Sequence, residues 1–187
     1  MSILAIANPY PANEDKIKVY VHEPVELLLT IYHLTPDAER FIKSTKRNRQ
    51  WVDVMSQPLV APYLPYKNHE AVKAMINLAN QYNEWLPLLV NIGIQNEQMP
   101  LKPERFQPEK QTAYTKAVRN FIALANQFYL DTQFDQGFLK NKPIYQAIAA
   151  EVTHHLPQKG FIETMEIFYQ ESFLSFNLCP SPLLPAG

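Results

Sequence analysis

Residues 108–138 read PEKQTAYTKAVRNFIALANQFYLDTQFDQGF, and this stretch decides the fold class. Ala113, Ala117, Val118, Phe121, Ile122, Ala125 and Phe128 recur in steps of three and four, so they share one face of a long helix. Lys116, Arg119, Asn120 and Gln127 take the other face. Pro108 suits the first helical position, where a missing N–H forfeits no bond. After Tyr129 the polarity changes. Asp131 and Thr132 are placed to cap a second, short helix carrying Phe134 and Phe138. Tyr129 is expected in the core with its hydroxyl satisfied. A long aromatic-rich helix with a short piece turned across its end is a core element with a corner.

Working outward, the same periodicity recurs. Downstream, residues 141–156 place Ile144, Tyr145, Ile148 and Val152 inward, and Pro157 stops them. Residues 161–171 carry Ile162, Met165, Phe168 and Tyr169. Leu174, Phe176 and Leu178 then alternate with Ser175, Asn177 and Cys179, a strand stopped by Pro180 and Pro182. Upstream, Gln95 to Gln107 is a polar connector holding Pro100 and Pro103. The run from Trp85 to Ile94 is a buried helix ended near Gly93, and residues 69–82 form another, capped by Asn68, with Val72, Met75, Ile76 and Ala79 inward. Pro58, Pro62 and Pro65 oppose regular structure through VAPYLPY.

Nearer the start, Trp51, Val52 and Met55 anchor a short helix, and Ala38, Phe41, Ile42 and Thr45 another. The helix PVELLLTIYHL, from Pro24, is apolar nearly all round and belongs in the centre; Glu26 sits in its first turn, where the dipole favours a carboxylate. Thr35-Pro36 breaks it. Before it, Ile17, Val19 and Val21 alternate with Lys18, Tyr20 and His22, a half-buried strand. The expected fold is mostly α, about seven helices with a minor two-strand β element, helix-dominated α+β. The two strands can pair and close the domain, backed by helices on one face. Residues 1–15 form an irregular lead-in, and 16–187 a single helical domain.

Composition agrees. The chain has 187 residues, enough to bury roughly 70% of its unfolded surface in one core. Sixteen prolines stand against 4 glycines, where average usage gives about 9 and about 13; that suits helices joined by stiff corners, not tight hairpins. A net charge of −1 creates no global field toward nucleic acid or membrane. The most apolar run, WLPLLVNIGI, is far short of the ~20 residues of a membrane span, and MSILAIANPYPA lacks the basic region of a signal peptide.

The chemistry-bearing residues are sparse. No two of His22, His33, His69, His154 and His155 stand four apart, so there is no His-Glu-x-x-His zinc helix. Glu151 and His154 make one Glu-x-x-His, where a di-iron bundle needs two. Glycine is too scarce for a phosphate loop. Cys179 reads as a small buried hydrophobe before it reads as a nucleophile. The patch Arg40, Lys43, Lys46, Arg47 and Arg49 reads as a solvated face, because no nucleic-acid motif accompanies it. Tyr66, Asn68 and His69 are the candidate substrate-binding residues. They follow a proline-stiffened loop and open a helix, where free N–H groups meet an acidic or peptide group; ordinary helix capping explains the same residues. No catalytic residue and no metal ligand is assigned.

Four stretches taken together carry a family resemblance. They are KIKVYVHEPVELLLTIYHL (16–34), PYKNHEAVKAMINLA (65–79), NFIALANQFYLDTQFDQGFLKNKPIYQ (120–146) and FYQESFLSFNLCPSPLLPAG (168–187). In order and spacing they resemble the N-terminal half of a bacterial domain-of-unknown-function family of zinc-metallopeptidase character. The resemblance implies zinc in the full-length family, a secreted or periplasmic home, and a C-terminal catalytic domain or a peptide as partner. It also implies that the His-Glu-x-x-His helix follows the Ser-Pro-Leu strand, and residues 1–187 do not contain it. Glu70 stands where the family pattern has proline. On this basis the chain is expected to be the catalytically incomplete helical part of such a protein, with no cofactor held within these residues. The alternative is a non-enzymatic helical module that binds a protein or peptide.

Overall fold

The computed structural model describes residues 16–38, 58–81, 85–107, 112–156, 160–172 and 175–184. The lead-in at 1–15, the basic patch, the helix anchored by Trp51, Val52 and Met55, and Pro108 lie outside them. The fold is helix-dominated, with one two-stranded sheet. Strand β1 (Ile17–Val19) leads to α1 (Glu23–His33), a 3-10 turn (Ala61–Tyr66), α2 (Glu70–Gln81) and α3 (Trp85–Gln95). A 3-10 turn at Pro103–Arg105 follows, then α4 (Ala113–Asp131), α5 (Phe134–Lys140), α6 (Lys142–His155), α7 (Phe161–Tyr169) and β2 (Phe176–Leu178).

Helix α1 is the centre, as its all-round apolar sequence requires. Every residue from Pro24 to Tyr32 is buried, and the helix packs against α2, α3 and α4. Nothing in a fully surrounded helix needs a polar face. It stops where Thr35-Pro36 begins, and the Thr35 hydroxyl accepts the Ala38 N–H at 3.3 Å, opening the helical residues 36–38. Gly93 is not a terminator. It lies inside α3 where α3 crosses α1, and a Cβ there would stand 3.0 Å from the Val25 Cα. The glycine permits the close approach of two backbones.

The long helix keeps its predicted register but not its predicted start. Val118, Phe121, Ile122, Ala125 and Phe128 are buried, Ala113 is exposed, and Thr115 is buried instead. Thr112 is extended, so the helix begins at Ala113, and the Thr112 N–H is taken by the Thr115 hydroxyl at 3.2 Å. At the far end Asp131 and Thr132 do not cap α5. Gln133, at φ 50°, turns the chain, and the Thr132 hydroxyl bonds back to the Phe128 carbonyl at 2.7 Å. The VAPYLPY segment is regular after all: residues 58–60 are helical and 61–66 form a 3-10 turn that buries Tyr63. Proline's fixed φ suits that geometry.

The two strands pair in parallel, Ile17 with Phe176, Lys18 with Asn177 and Val19 with Leu178, backed by α6. The strand ends earlier than its alternation suggested. His22, placed on the polar face by that alternation, is buried where the chain turns into α1. No helix among the described residues is long and apolar enough to cross a membrane.

Candidate functional site

Two polar clusters stand out near the C-terminal end of α4, one on Asp131 and one around Glu23 and Glu26. The first holds the residues predicted from sequence. The 3-10 turn delivers Tyr66, and α2 starts at Glu70, so His69 and not Asn68 occupies the capping position. The His69 Nδ1 accepts the Ala71 N–H at 3.1 Å. A backbone N–H can only donate, so Nδ1 is unprotonated and the proton sits on Nε2. That proton is donated to the Asp131 carboxylate, 3.1 Å away at the end of α4. Gln127 donates to the other carboxylate oxygen at 2.7 Å. The His69 and Gln127 hydrogen bonds hold the Asp131 carboxyl below its usual range. The Tyr66 hydroxyl donates to the Asp131 carbonyl at 3.2 Å, and Phe128 lies edge-on to both rings. Asn68 is exposed. The structure therefore brings Tyr66 and His69 together on Asp131. With both ring nitrogens engaged, His69 is a clasp between α2 and α4; neither nitrogen is open to take a substrate proton.

The second cluster was not singled out from sequence. Glu26, in the first turn of α1, is 1% exposed, and both carboxyl oxygens lack a hydrogen-bond partner. Burial pushes its pKa up to about 8, and the Ser181 side chain, from the segment after β2, acts in the opposite sense. The acid is protonated at neutral pH. Around it lie Tyr145 and Glu23. Burial first, then the Glu26 charge, raise the Tyr145 phenol. The Tyr129 hydroxyl donates to Glu23 at 3.2 Å, and burial and Glu23 push that phenol up to about 12. Burial likewise raises the Glu23 carboxyl and, with Asp135, pushes Tyr63 up to about 12. His33, further along α1, contacts the Leu183 carbonyl at 2.8 Å through Nε2 and ties α1 to the segment after β2.

Chemically, this is an acid that keeps its proton beside phenols that keep theirs. Such perturbed groups gather at functional sites more often than in ordinary cores. The signal available from sequence was Glu26 in a helix with no polar face. Its place in the first turn suggested dipole stabilisation instead.

No three His, Cys, Asp or Glu side chains among the described residues converge as metal ligands. His33 and His69 are committed to Leu183 and Asp131, and His154 and His155 are exposed on α6. Cys179 follows β2 half-buried, its thiol raised by burial. Comparison with family models, curated proteins and solved structures returns no match for this chain.

Proposed function

We propose that this chain is the N-terminal helical part of a zinc-metallopeptidase-like protein. It supplies one wall of a peptide cleft and no ligand to the metal. The observation that supports this reading is the bare apolar surface where the first and last elements meet. Lys16 ties the start of β1 to Glu166 of α7 at 2.8 Å. On that helix Ile167 is 77% exposed and Phe168 75%. Leaving such side chains in water forgoes roughly 1.5–3 kcal/mol each. A further layer of protein over α7 and the two-stranded sheet would recover it, and in the proposed protein that layer carries the His-Glu-x-x-His helix. The wall's own contributions are to bind and orient a peptide and to exclude water. Asn68 offers an exposed amide at the rim, while Tyr66 and His69 hold the corner that presents it.

The coding sequence beyond Gly187 tests this directly. An in-frame His-Glu-x-x-His supports the reading, and its absence through the next domain-length stretch overturns it. Purified residues 1–187 are expected to cleave no peptide. Chelator-sensitive casein cleavage by that chain would place the metal ligands inside it and sink the proposal.

A further inference from the structure

Residues 179–184, which follow β2, run along α1 from its start to its end. The Tyr20 N–H, just ahead of α1, donates to the Leu178 carbonyl at 3.1 Å. The Ser181 side chain is near enough to Glu26, in the first turn, to act on its carboxyl. The Leu183 carbonyl meets His33, the last residue of α1, at 2.8 Å. A helix of 11 residues is about 16 Å long, and the chain from Leu178 to Leu183 reaches at most about 18 Å. The segment therefore crosses α1 with little slack.

Its composition limits its hold. Pro180 and Pro182 have no N–H to donate. The N–H groups of Leu183 and Leu184 are satisfied inside the segment, by the Ser181 hydroxyl at 3.1 Å and the Ser181 carbonyl at 3.3 Å. Those bonds stay with the segment when it moves. The Leu183 side chain docks it, 4% exposed and part of the core, with Leu184 partly buried and the His33 contact alongside. Beneath it is Glu26, whose two carboxyl oxygens have no partner. Burial of Leu183 favours the docked position, and burial of Glu26 opposes it. The two prolines stiffen the segment, so it moves as a unit.

We propose that residues 179–184 form a strap, hinged after Leu178, that lifts from α1 while the helical body stays folded and uncovers the face bearing Glu26 and His33. The strap shares no residue with the bare face of α7, so it stands or falls apart from the metallopeptidase reading.

Lifting hydrates Glu26, and that sets the sign of the pH dependence. Docked, the carboxyl keeps its proton to about pH 8; in water it releases it near 4.5. The docked state holds the extra proton, so lifting becomes easier as pH rises through that window, by up to about tenfold per unit. His33 is lowered by burial, so its protonation favours lifting as pH falls below 6.5. Glu26 is faced by Glu23 on its own helix, Tyr145 from α6 and Ser181 from the strap, with Tyr63, Tyr129 and Asp135 next to these. Burial raises Glu23 in the same sense as Glu26, and the raised phenols keep their protons. Beside His33 is Tyr32, on which Asp37 acts. Above pH 6.5 the imidazole is neutral whether the strap is docked or lifted, which leaves the carboxyls to set the slope.

Cys179 is the first residue of the strap and the only cysteine of the chain, so iodoacetamide labelling of the intact protein reads the motion. At pH 7.5 the labelling rate is expected to be nearly independent of dilute urea, the mark of a local opening. Leu183→Ala should speed it about tenfold or more, and the milder Leu183→Val about fourfold for one methylene lost. Divided by the rate of Glu26→Gln, which cancels the thiol's own ionisation, the wild-type rate should rise about tenfold or more between pH 6.5 and 8.5. Three outcomes overturn the strap: labelling that climbs with urea as steeply as global unfolding, unchanged labelling in both Leu183 variants, or a ratio to Glu26→Gln that stays flat with pH.

Discussion

Glu26 and His69 both mark the start of a helix, and the fold treats them in opposite ways. His69 has a partner for each ring nitrogen, the Ala71 N–H and the Asp131 carboxylate. Glu26 has none for either oxygen. The helix N-terminus favours a carboxylate by about 0.3–1 kcal/mol, up to ~2 in sheltered geometry. Taking an ionised group out of water costs several kcal/mol after relaxation. At Glu26 the second term wins, because α1 is enclosed by α2, α3 and α4, and the carboxyl keeps its proton to about pH 8. A helix start is a capping site where water and neighbours reach it. Enclosed, the same kind of position becomes a reservoir of unsatisfied polarity. The first arrangement explains structure completely; the second leaves a group the fold alone does not account for.

The largest effect expected from this contrast is in pH-dependent stability. Unfolded, Glu26 releases its proton near pH 4.5; folded, near 8. Between those values the native state holds the extra proton, so stability falls as pH rises through the window. Carried to completion the loss is on the order of 5 kcal/mol. His22 and His33 are both lowered, chiefly by burial, so the native state resists their protonation. They remove stability as pH falls below 6.5, an opposite slope that overlaps the lower part of the Glu26 window. Urea unfolding of the wild type and Glu26→Gln at pH 5 and pH 9 isolates the carboxyl. The variant is expected to gain several kcal/mol over the wild type at pH 9 relative to pH 5. Parallel profiles would mean that Glu26 ionises like a surface acid.

Opening the enclosure is the next test. Gly93→Ala puts a methyl against Val25 of α1, where the Cα itself is only 3.0 Å away. Alanine is the better helix former by about 1 kcal/mol. Overpacking costs ~1–3 kcal/mol, and here the backbone has no rotamer with which to yield, so net destabilisation is expected. Prising α3 from α1 also lets water toward Glu26, so the alkaline loss of stability should become shallower. Val25→Ala in the same chain removes the nearest methyl and is expected to restore part of both. A Gly93→Ala variant as stable as the wild type would show that the two helices do not need this approach.

Much of this architecture was legible in the sequence, and the misses share a cause. The central helix was readable because Leu27, Leu28 and Ile31 leave it no polar face, and the register of α4 because Val118, Phe121, Ile122, Ala125 and Phe128 keep the period. Strand pairing followed from alternation near each end. Period alone does not say whether a face has a partner. Ile144 and Phe168 keep helical spacing yet face solvent. Gly93 looked like a stop because its role is set by a helix distant in sequence. The helix-opening corner at Tyr66 and His69 was readable from local rules. Its clasp to Asp131 was not, because 62 residues separate the partners. Glu26 was invisible for the converse reason: a local rule fitted it, and only tertiary enclosure reversed the outcome.

The smallest effect belongs to the satisfied side of the contrast. His69→Ala removes both the cap on α2 and the tie to α4. Loss of a helix cap costs about 0.5–2 kcal/mol. His69→Asn separates the two functions, since asparagine caps well but is too short to hold Asp131 in the same place. If the cap carries most of the stabilisation, the Asn variant should lie close to the wild type in thermal midpoint and the Ala variant well below. The Asp131 partner is exposed to solvent and salt, where such pairs contribute little. Equal losses in the two variants would transfer the weight to the inter-helix tie. His69 would then resemble Glu26 in depending on tertiary context more than on its place at a helix start.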